Sequence, residues 1–446
     1  MRYTRRVITD FSIREKDIRP SLHLTKLDPI AKKTTQGSEM RMCRPQGLRA
    51  FKGLLLTFAT AIGFTALPAL AEDTLKIGVL SDLTGPFAQT NGLKATEMAV
   101  ADFGGEVLGK KIVVISSDHL NKADSATVTA RRWIDDEGVA AIVDVPNSAV
   151  ALAVNEVARQ KKTILLATSP ATVELTGKAC GPTTFHWTYD TWMLAHGTAN
   201  TMLDRGGDTW FFITSDYAFG RAIEHDSSEV VKARGGRVLG SVRAPLNTSD
   251  FSSFLLQAQS SKAKVVGLAL AGADLITAVK QAHEFGLDVA GQKLVGLLLV
   301  AGDVSALGLQ SAQGLLYSEA FYWDVNDDTR AWAKRFGQLN DGRIPSMTQA
   351  GTYSAVTHYL KAVKAAGTSD GMTVAGKMKE MPTDDVLFGR GSVRAEGRKI
   401  HSVYVLEVKK PSESTGPWDL AKVSATIPPD QAFRPLDQSD CPLVKK

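Results

Sequence analysis

The chain has 446 residues, 44% hydrophobic and 22% charged, with 3 cysteines and a formal charge of +5. Residues 1–71 hold 13 of the 52 Lys and Arg but only 5 of the 47 Asp and Glu, so the rest of the chain is slightly acidic. The basic balance belongs to the leader, and a broad basic face for nucleic acid or anionic lipid is excluded.

Within the leader, Leu54 to Leu67 is an apolar run too short to span a bilayer comfortably, preceded by Arg41, Arg44, Arg49 and Lys52. Pro68-Ala69-Leu70-Ala71 ends in an A-x-A pattern, so residues 1–71 read as a leader and secretory signal peptide cleaved after Ala71. The mature chain then starts at Glu72 in the periplasm. Met1, Met40 and Met42 are all candidate starts, and Cys43 lies before the apolar run, which argues against a lipoprotein anchor. Export leaves Cys180 and Cys441, which can pair in an oxidising compartment and tie the C-terminal tail to a loop of the body. No Cys/His spacing of metal type occurs, so neither a metal nor a cofactor is expected.

The exported part suits two domains rather than one. Its elements alternate: strand Thr74–Leu80, helix Leu93–Phe103, strand Lys111–Ser116, helix Asp124–Asp136. Val139–Val143 is a β-branched and alanine strand, Ala149–Arg159 an amphipathic helix and Thr163–Ala167 a second buried strand. The alternation resumes with strands at Thr209–Thr214, Arg237–Val242, Lys264–Leu270, Lys293–Leu298 and Gly314–Glu319, separated by helices at Gly220–Arg234, Ser252–Gln259 and Asp274–Phe285. Helices at Asp328–Leu339 and Thr352–Ala366 precede a last strand at His401–Val408, and the tail after Lys409 carries no periodicity. Repeated βα units argue for parallel sheets covered by helices on both faces.

The unit from Val139 to Gly177 carries two polar loops, Asp144-Val145-Pro146-Asn147-Ser148 and Thr168-Ser169-Pro170-Ala171-Thr172, each at the carboxyl end of a strand. Open parallel sheets bind ligands at that edge. Ser148 and Ser169 can cap the helices that follow, and their hydroxyls and amides suit a carboxylate. Either loop alone reads better as an ordinary helix cap; two of them, one helix apart and facing one edge, shift the balance modestly toward a binding cleft.

Thr74–Gly85, Gly104–Ile112 and Asn147–Gly177 together resemble the branched-chain amino acid/amide family of ABC-transporter solute-binding proteins, and Asp216-Tyr217-Ala218-Phe219-Gly220 is similar to that family's opening of the second lobe. The resemblance runs from Glu72 to about Lys409. It implies a type I periplasmic binding fold: an α/β chain of two doubly wound lobes with parallel-sheet cores, joined by three crossovers, with the ligand in the inter-lobe cleft. It assigns 72–190 plus 319–405 to the first lobe and 191–318 plus 406–446 to the second, and places a Cys180–Cys441 bridge near the hinge. Carried over by position, Asn147 and Ser148 match the loop that holds a ligand carboxylate, and Ser169, Pro170, Ala171 and Thr172 match its partner loop. Tyr217 matches a tyrosine that closes from the second lobe, and Thr90 falls where an aromatic residue often sits. The implied role is capture of a small molecule for an inner-membrane ABC permease by a monomer that does no bond chemistry and binds no nucleic acid.

The departures bear on the ligand. Amino-acid binders of the family place a carboxylate after the strand matching Leu294–Leu298; here the segment reads GLLLVAGD, with Asp303 several residues late, and Ala271 and Gly272 stand at an aromatic position. A buried ammonium without a counter-charge costs on the order of several kcal/mol. An aromatic or other non-amino carboxylate is therefore favoured over a branched-chain amino acid, amide or urea. The dense aromatics of Thr184–Trp192 fit a flat ligand, with His186 donating to a carboxylate, or else they pack the crossover. Phe321-Tyr322-Trp323 reads as packing, and Asp216 as a cap on the helix at Gly220. Other classes remain: a ligand sensor subunit, or a secreted hydrolase, although no G-x-S-x-G, H-E-x-x-H or P-loop occurs.

Overall fold

The computed structural model describes residues 73–287 and 291–444; the expected leader and cleavage site lie outside them. β1 (Thr74–Ser81) leads through α1 (Leu93–Phe103) and the short β2 (Glu106–Val107) to β3 (Lys110–Asp118). α2 (Ala123–Asp135), β4 (Val139–Asp144), α3 (Ser148–Lys161), β5 (Ile164–Ala167) and β6 (Thr184–His186) follow. These strands form one sheet ordered β2-β3-β1-β4-β5-β6, parallel except for β2. β1 lies between β3 and β4, so the order reverses there and a crevice opens at the carboxyl edge, where such sheets take ligands.

The local chemistry matches the expected elements closely. β4 and β5 are buried on both faces: Ala141, Val143, Ile164 and Leu166 face one helix layer, while Ile142 and Leu165 face Trp133, Val150 and Val154 on the other. α3 begins where the Asn147 side chain accepts from the amides of Ala149 and Val150, and it stops at Lys162 in the left-handed region (φ 55°).

The second lobe repeats the plan. α4 (Thr191–Asp204) leads to β7 (Thr209–Ser215), α5 (Ala218–Ala233), β8 (Arg237–Ala244), α6 (Ser252–Ser260), β9 (Val265–Ala269), α7 (Gly272–Glu284) and β10 (Lys293–Gly296). These strands form a parallel sheet ordered β10-β9-β7-β8, with its own reversal between β7 and β9. Two short helices, α8 (Ala301–Leu307) and α9 (Leu309–Ala312), precede β11 (Leu316–Glu319). The chain then returns to the first lobe through α10 (Asp327–Leu339), α11 (Met347–Ala366), which packs on α1, and α12 (Gly371–Glu380). The antiparallel β12 (Thr383–Asp385), β13 (Gly389–Val393) and β14 (Lys399–Ile400) lead to β15 (Val403–Val408) and β16 (Ala421–Ile427).

β16 corrects the reading of the tail as irregular. It pairs antiparallel with β15, which also pairs with β11, so the tail is the edge of a three-stranded sheet. Beyond it Phe433 is buried, with its ring over the Arg398 guanidinium at 4.2 Å, and Cys441 is joined to Cys180 in a disulfide with Cα atoms 5.7 Å apart.

Candidate functional site

A cavity of about 250 Å³ lies between the carboxyl edges of the two parallel sheets. The loop after β1 supplies Pro86 and Phe87, the loop after β4 Pro146 and Ser148, and the loop after β5 Ser169 and Ala171. From the second lobe, Tyr217 and Phe219 come from the start of α5, Ala271, Gly272 and Ile276 from the start of α7, and Leu298, Val300 and Asp303 from the segment after β10. The two walls meet tightly. A Cβ on Gly272, which sits at φ +57°, would lie 2.7 Å from the Pro86 carbonyl oxygen, so a glycine stands where the resemblance expects an aromatic side chain.

Of the residues singled out in the sequence, Thr90, Ser148, Ser169, Ala171 and Tyr217 line this cavity. Four do not. The Asn147 side chain is spent capping α3, and it donates to Asn121 Oδ1 at 3.3 Å. Thr172 caps the turn at Val173–Leu175, accepting from the Glu174 amide. Pro170 turns its carbonyl to His186, whose Nε2 donates to it at 2.7 Å. His186 is wholly buried in that bond, and burial holds its imidazole well below its usual range, so it is a neutral packing group rather than an anion donor. Phe185 and Trp187 are likewise buried core, and of the Thr184–Trp192 run Tyr189 alone lines the cavity. Phe321 and Tyr322 pack as expected; Tyr322 donates to the Ala421 carbonyl at 2.9 Å. Asp216 does not cap α5: its carboxylate accepts from Arg221 at 2.7 Å on the surface.

The polar groups of the first wall are arranged around two carboxylates that sequence reading passed over. Asp82, fully buried, accepts from the amides of Gly85 and Phe87 and from Asn121 Nδ2, which shapes the loop after β1. Asp144, also fully buried, accepts from Ser81 Oγ at 2.5 Å, from the Gly92 amide at 2.8 Å and from Ser169 Oγ. By contrast, the Ser148 hydroxyl has no hydrogen-bond partner among the described residues and is free to donate beside the first turn of α3.

The second wall holds a carboxylate after all. α8 starts immediately after Val300, so its first turn swings Asp303 back to the cavity and closes the offset seen in the sequence. One backbone donor, the Val300 amide at 3.2 Å, meets a half-buried carboxyl at the cavity wall, and desolvation there pushes it up to about 7. Glu319 lies close by, accepting from the Ala301 amide at 3.3 Å, and burial raises it well above the carboxylate range. Asp303 also borders a neighbouring cavity of about 380 Å³ that shares Gln89, Thr90, Ile276 and Val300. Among the described residues no His/Cys/Asp/Glu cluster could hold a metal ion, and no helix is long and apolar enough to cross a membrane.

Comparison with known proteins agrees with this fold. A periplasmic binding protein from Burkholderia mallei is 49% identical over 84% of this chain and 100% of its own, with a TM-score of 0.82. A branched-chain amino acid ABC transporter periplasmic ligand-binding protein from Burkholderia xenovorans LB400 is 38% identical over 83% of this chain and 100% of its own, with a TM-score of 0.75. The Leu/Ile/Val-binding protein homolog 6 of Brucella melitensis is 27% identical over 82% of this chain and 95% of its own. The periplasmic binding protein family model matches residues 74–416, and with two lobes closed on one cavity in the type I arrangement the chain belongs to that family, in its branched-chain amino acid branch of ABC-transporter solute-binding proteins.

Proposed function

We propose that this protein captures a small, largely apolar organic acid, an aromatic or other non-amino carboxylate, and delivers it to an ABC permease by closure of the lobes. The carboxylate sits at the first wall beside Ser148 and the start of α3, and the body of the ligand lies among rings. The observation that supports this reading is the lining itself: Phe87, Tyr189, Tyr217 and Phe219 surround a cavity to which the first-wall loop brings the Ser148 hydroxyl, unpartnered among the described residues. The lobes hinge along 72–190 plus 319–405 and 191–318 plus 406–446, and the mechanism is binding and release without bond chemistry.

Asp303 favours a second reading. It supplies the counter-charge that the sequence lacked at the expected position, so an ammonium at the second wall removes the objection to a branched-chain amino acid. A phenolic hydroxyl meets the same acid as a neutral donor.

A thermal-shift screen of aromatic acids, short aliphatic acids, amides, urea, leucine and valine separates these. A ligand at a hundredfold excess over its Kd adds about 2.7 kcal/mol to the folded state. A shift with aromatic acids and none with leucine or valine supports the first reading. Leucine or valine acting alone replaces it with the second, and silence from every carboxylate removes both.

A further inference from the structure

We propose that Asp144 is a proton-linked positioning residue: its carboxylate sets the direction of the Ser169 hydroxyl, so that capture of a carboxylate ligand beside Ser169 brings one proton onto Asp144. This rests on the reading that a ligand carboxylate occupies the first wall.

The argument is a count of protons. Ser81 and Ser169 each own one hydroxyl hydrogen, and both are donated to Asp144, whose remaining donor is the Gly92 amide. With Asp144 ionised, Ser169 offers the cavity lone pairs only. A ligand carboxylate there meets an acceptor and, one residue behind it, a second negative charge in a site away from water. With Asp144 protonated, its own O–H donates to one serine oxygen and a serine hydrogen is released; Ser169 then donates into the cavity. The proton comes from solvent, and the bonds that change are O–H bonds and hydrogen bonds alone.

The backbone commits Asp144 to this position. It sits at φ 85°, followed by Val145 at φ 59°, both in the left-handed region that costs a non-glycine residue energy. Register puts Asp144 between Leu80 of β1 and Ala167 of β5. Among the charged groups on the packed elements, Asp82 at the end of β1 faces it, and the Tyr189 hydroxyl donates to the Ser169 carbonyl. Lys94 of α1 turns to Asp341 and Glu97 to solvent, while Tyr353 and His358 of α11 go to Asp102 and the Met378 carbonyl. No cation balances the Asp144 charge among these groups. Burial raises its carboxyl above the ordinary range against the pull of its three donors, and the Asp82 charge adds to the rise.

The test is calorimetric binding of benzoate and of leucine in two buffers of different ionisation enthalpy. Expected with benzoate is uptake of close to one proton per ligand by the wild type, and affinity falling about tenfold per pH unit above the Asp144 midpoint; with leucine the uptake should appear in full once Asp303 is replaced by Asn. Asp144→Asn, whose amide accepts from one serine and donates to the other, should bind without proton uptake and with a flat pH profile. Asp303→Asn should keep the uptake, which separates Asp144 from the cavity acid. Equal uptake in wild type and Asp144→Asn overturns the proposal. If neither probe binds, the carboxylate reading falls, and Asp144 is read without ligand: infrared difference spectra of wild type against Asp144→Asn should contain a protonated-carboxyl band that titrates, and Ser169→Ala should move its midpoint upward by removing a donor to the ionised form. A band that never titrates, or is unmoved by Ser169→Ala, overturns the proposal.

Discussion

The two walls of the cleft treat buried charge in opposite ways. On the first wall Asp82 and Asp144 each collect three donors and hold loops and hydroxyls in place without lining the cavity themselves. On the second, Asp303 has one backbone donor and lines the cavity with Leu298, Val300 and Ile276, and Glu319 nearby has one as well. A saturated acid is part of the scaffold, whereas an under-satisfied acid beside a cavity is left for a ligand or is kept neutral. The first wall therefore faces the cavity with hydroxyls and amides and keeps its acids behind them, while the second faces it with shape and one titratable group.

If the first wall is scaffold, its covalent tie matters most for stability. Cys180 follows the loop that carries Ser169 and Ala171, and its partner Cys441 is 261 residues away. In the chain-entropy view a loop that long contributes about 5–6 kcal/mol by restricting the unfolded chain. Cys441→Ser, paired with Cys180→Ser, should lower the unfolding free energy by that order, and the urea midpoint with it, while β7 to β10 keep their fold. An unchanged midpoint would mean that the pairing of β16 with β15 already fixes the tail.

The second wall should reveal itself through pH. The Asp303 carboxyl is raised from an ordinary value of 3.8 to about 7, so its contribution to stability is complete below the unfolded value. It is lost as pH rises through about 7. Asp303→Asn should thus melt higher than wild type at alkaline pH, with the gap closing toward pH 4, the ordinary carboxyl range. A gap independent of pH would show Asp303 ionised throughout, and would favour a cationic group as its natural partner.

Much of this contrast was legible in the chain. The runs Val139–Val143 and Thr163–Ala167 read as buried strands because every side chain is apolar or small; Ser148 reads as the cap of the next helix, but the structure gives that role to Asn147 one residue earlier, with Ser148 already in the first turn. What escaped reading depends on distant partners. β16 (Ala421–Ile427) alternates Lys, Ser and Thr on an exposed edge, and only β15 makes it a strand. Asp303 looked misplaced because residues were counted along an extended chain, while the turn of α8 folds the excess away. His186 looked like a free donor because the Pro170 carbonyl that claims it lies across a strand pairing. Asp144 passed as one polar residue of a loop, since neither its φ of 85° nor its three donors leave a mark in sequence.

The smallest effect separates the two serines of the first wall. Ser148 and Ser169 occupy equivalent places in two successive loops, and sequence gives them one role. In the structure the Ser169 hydrogen is committed to Asp144, and the Ser148 hydroxyl has no partner among the described residues. Ser148→Ala therefore removes no internal bond, so the melting temperature of the free protein should stay within a degree or so, as for a substitution that creates no unsatisfied partner. Affinity for a carboxylate should fall by about 1–3 kcal/mol, the range for a buried hydrogen bond to a charged group. Ser169→Ala strips a donor from a buried carboxylate and should lower stability as well as affinity. If Ser148→Ala binds a carboxylate as tightly as wild type, the anion does not reach the α3 turn, and the first wall serves the ligand through Ser169 and backbone amides instead.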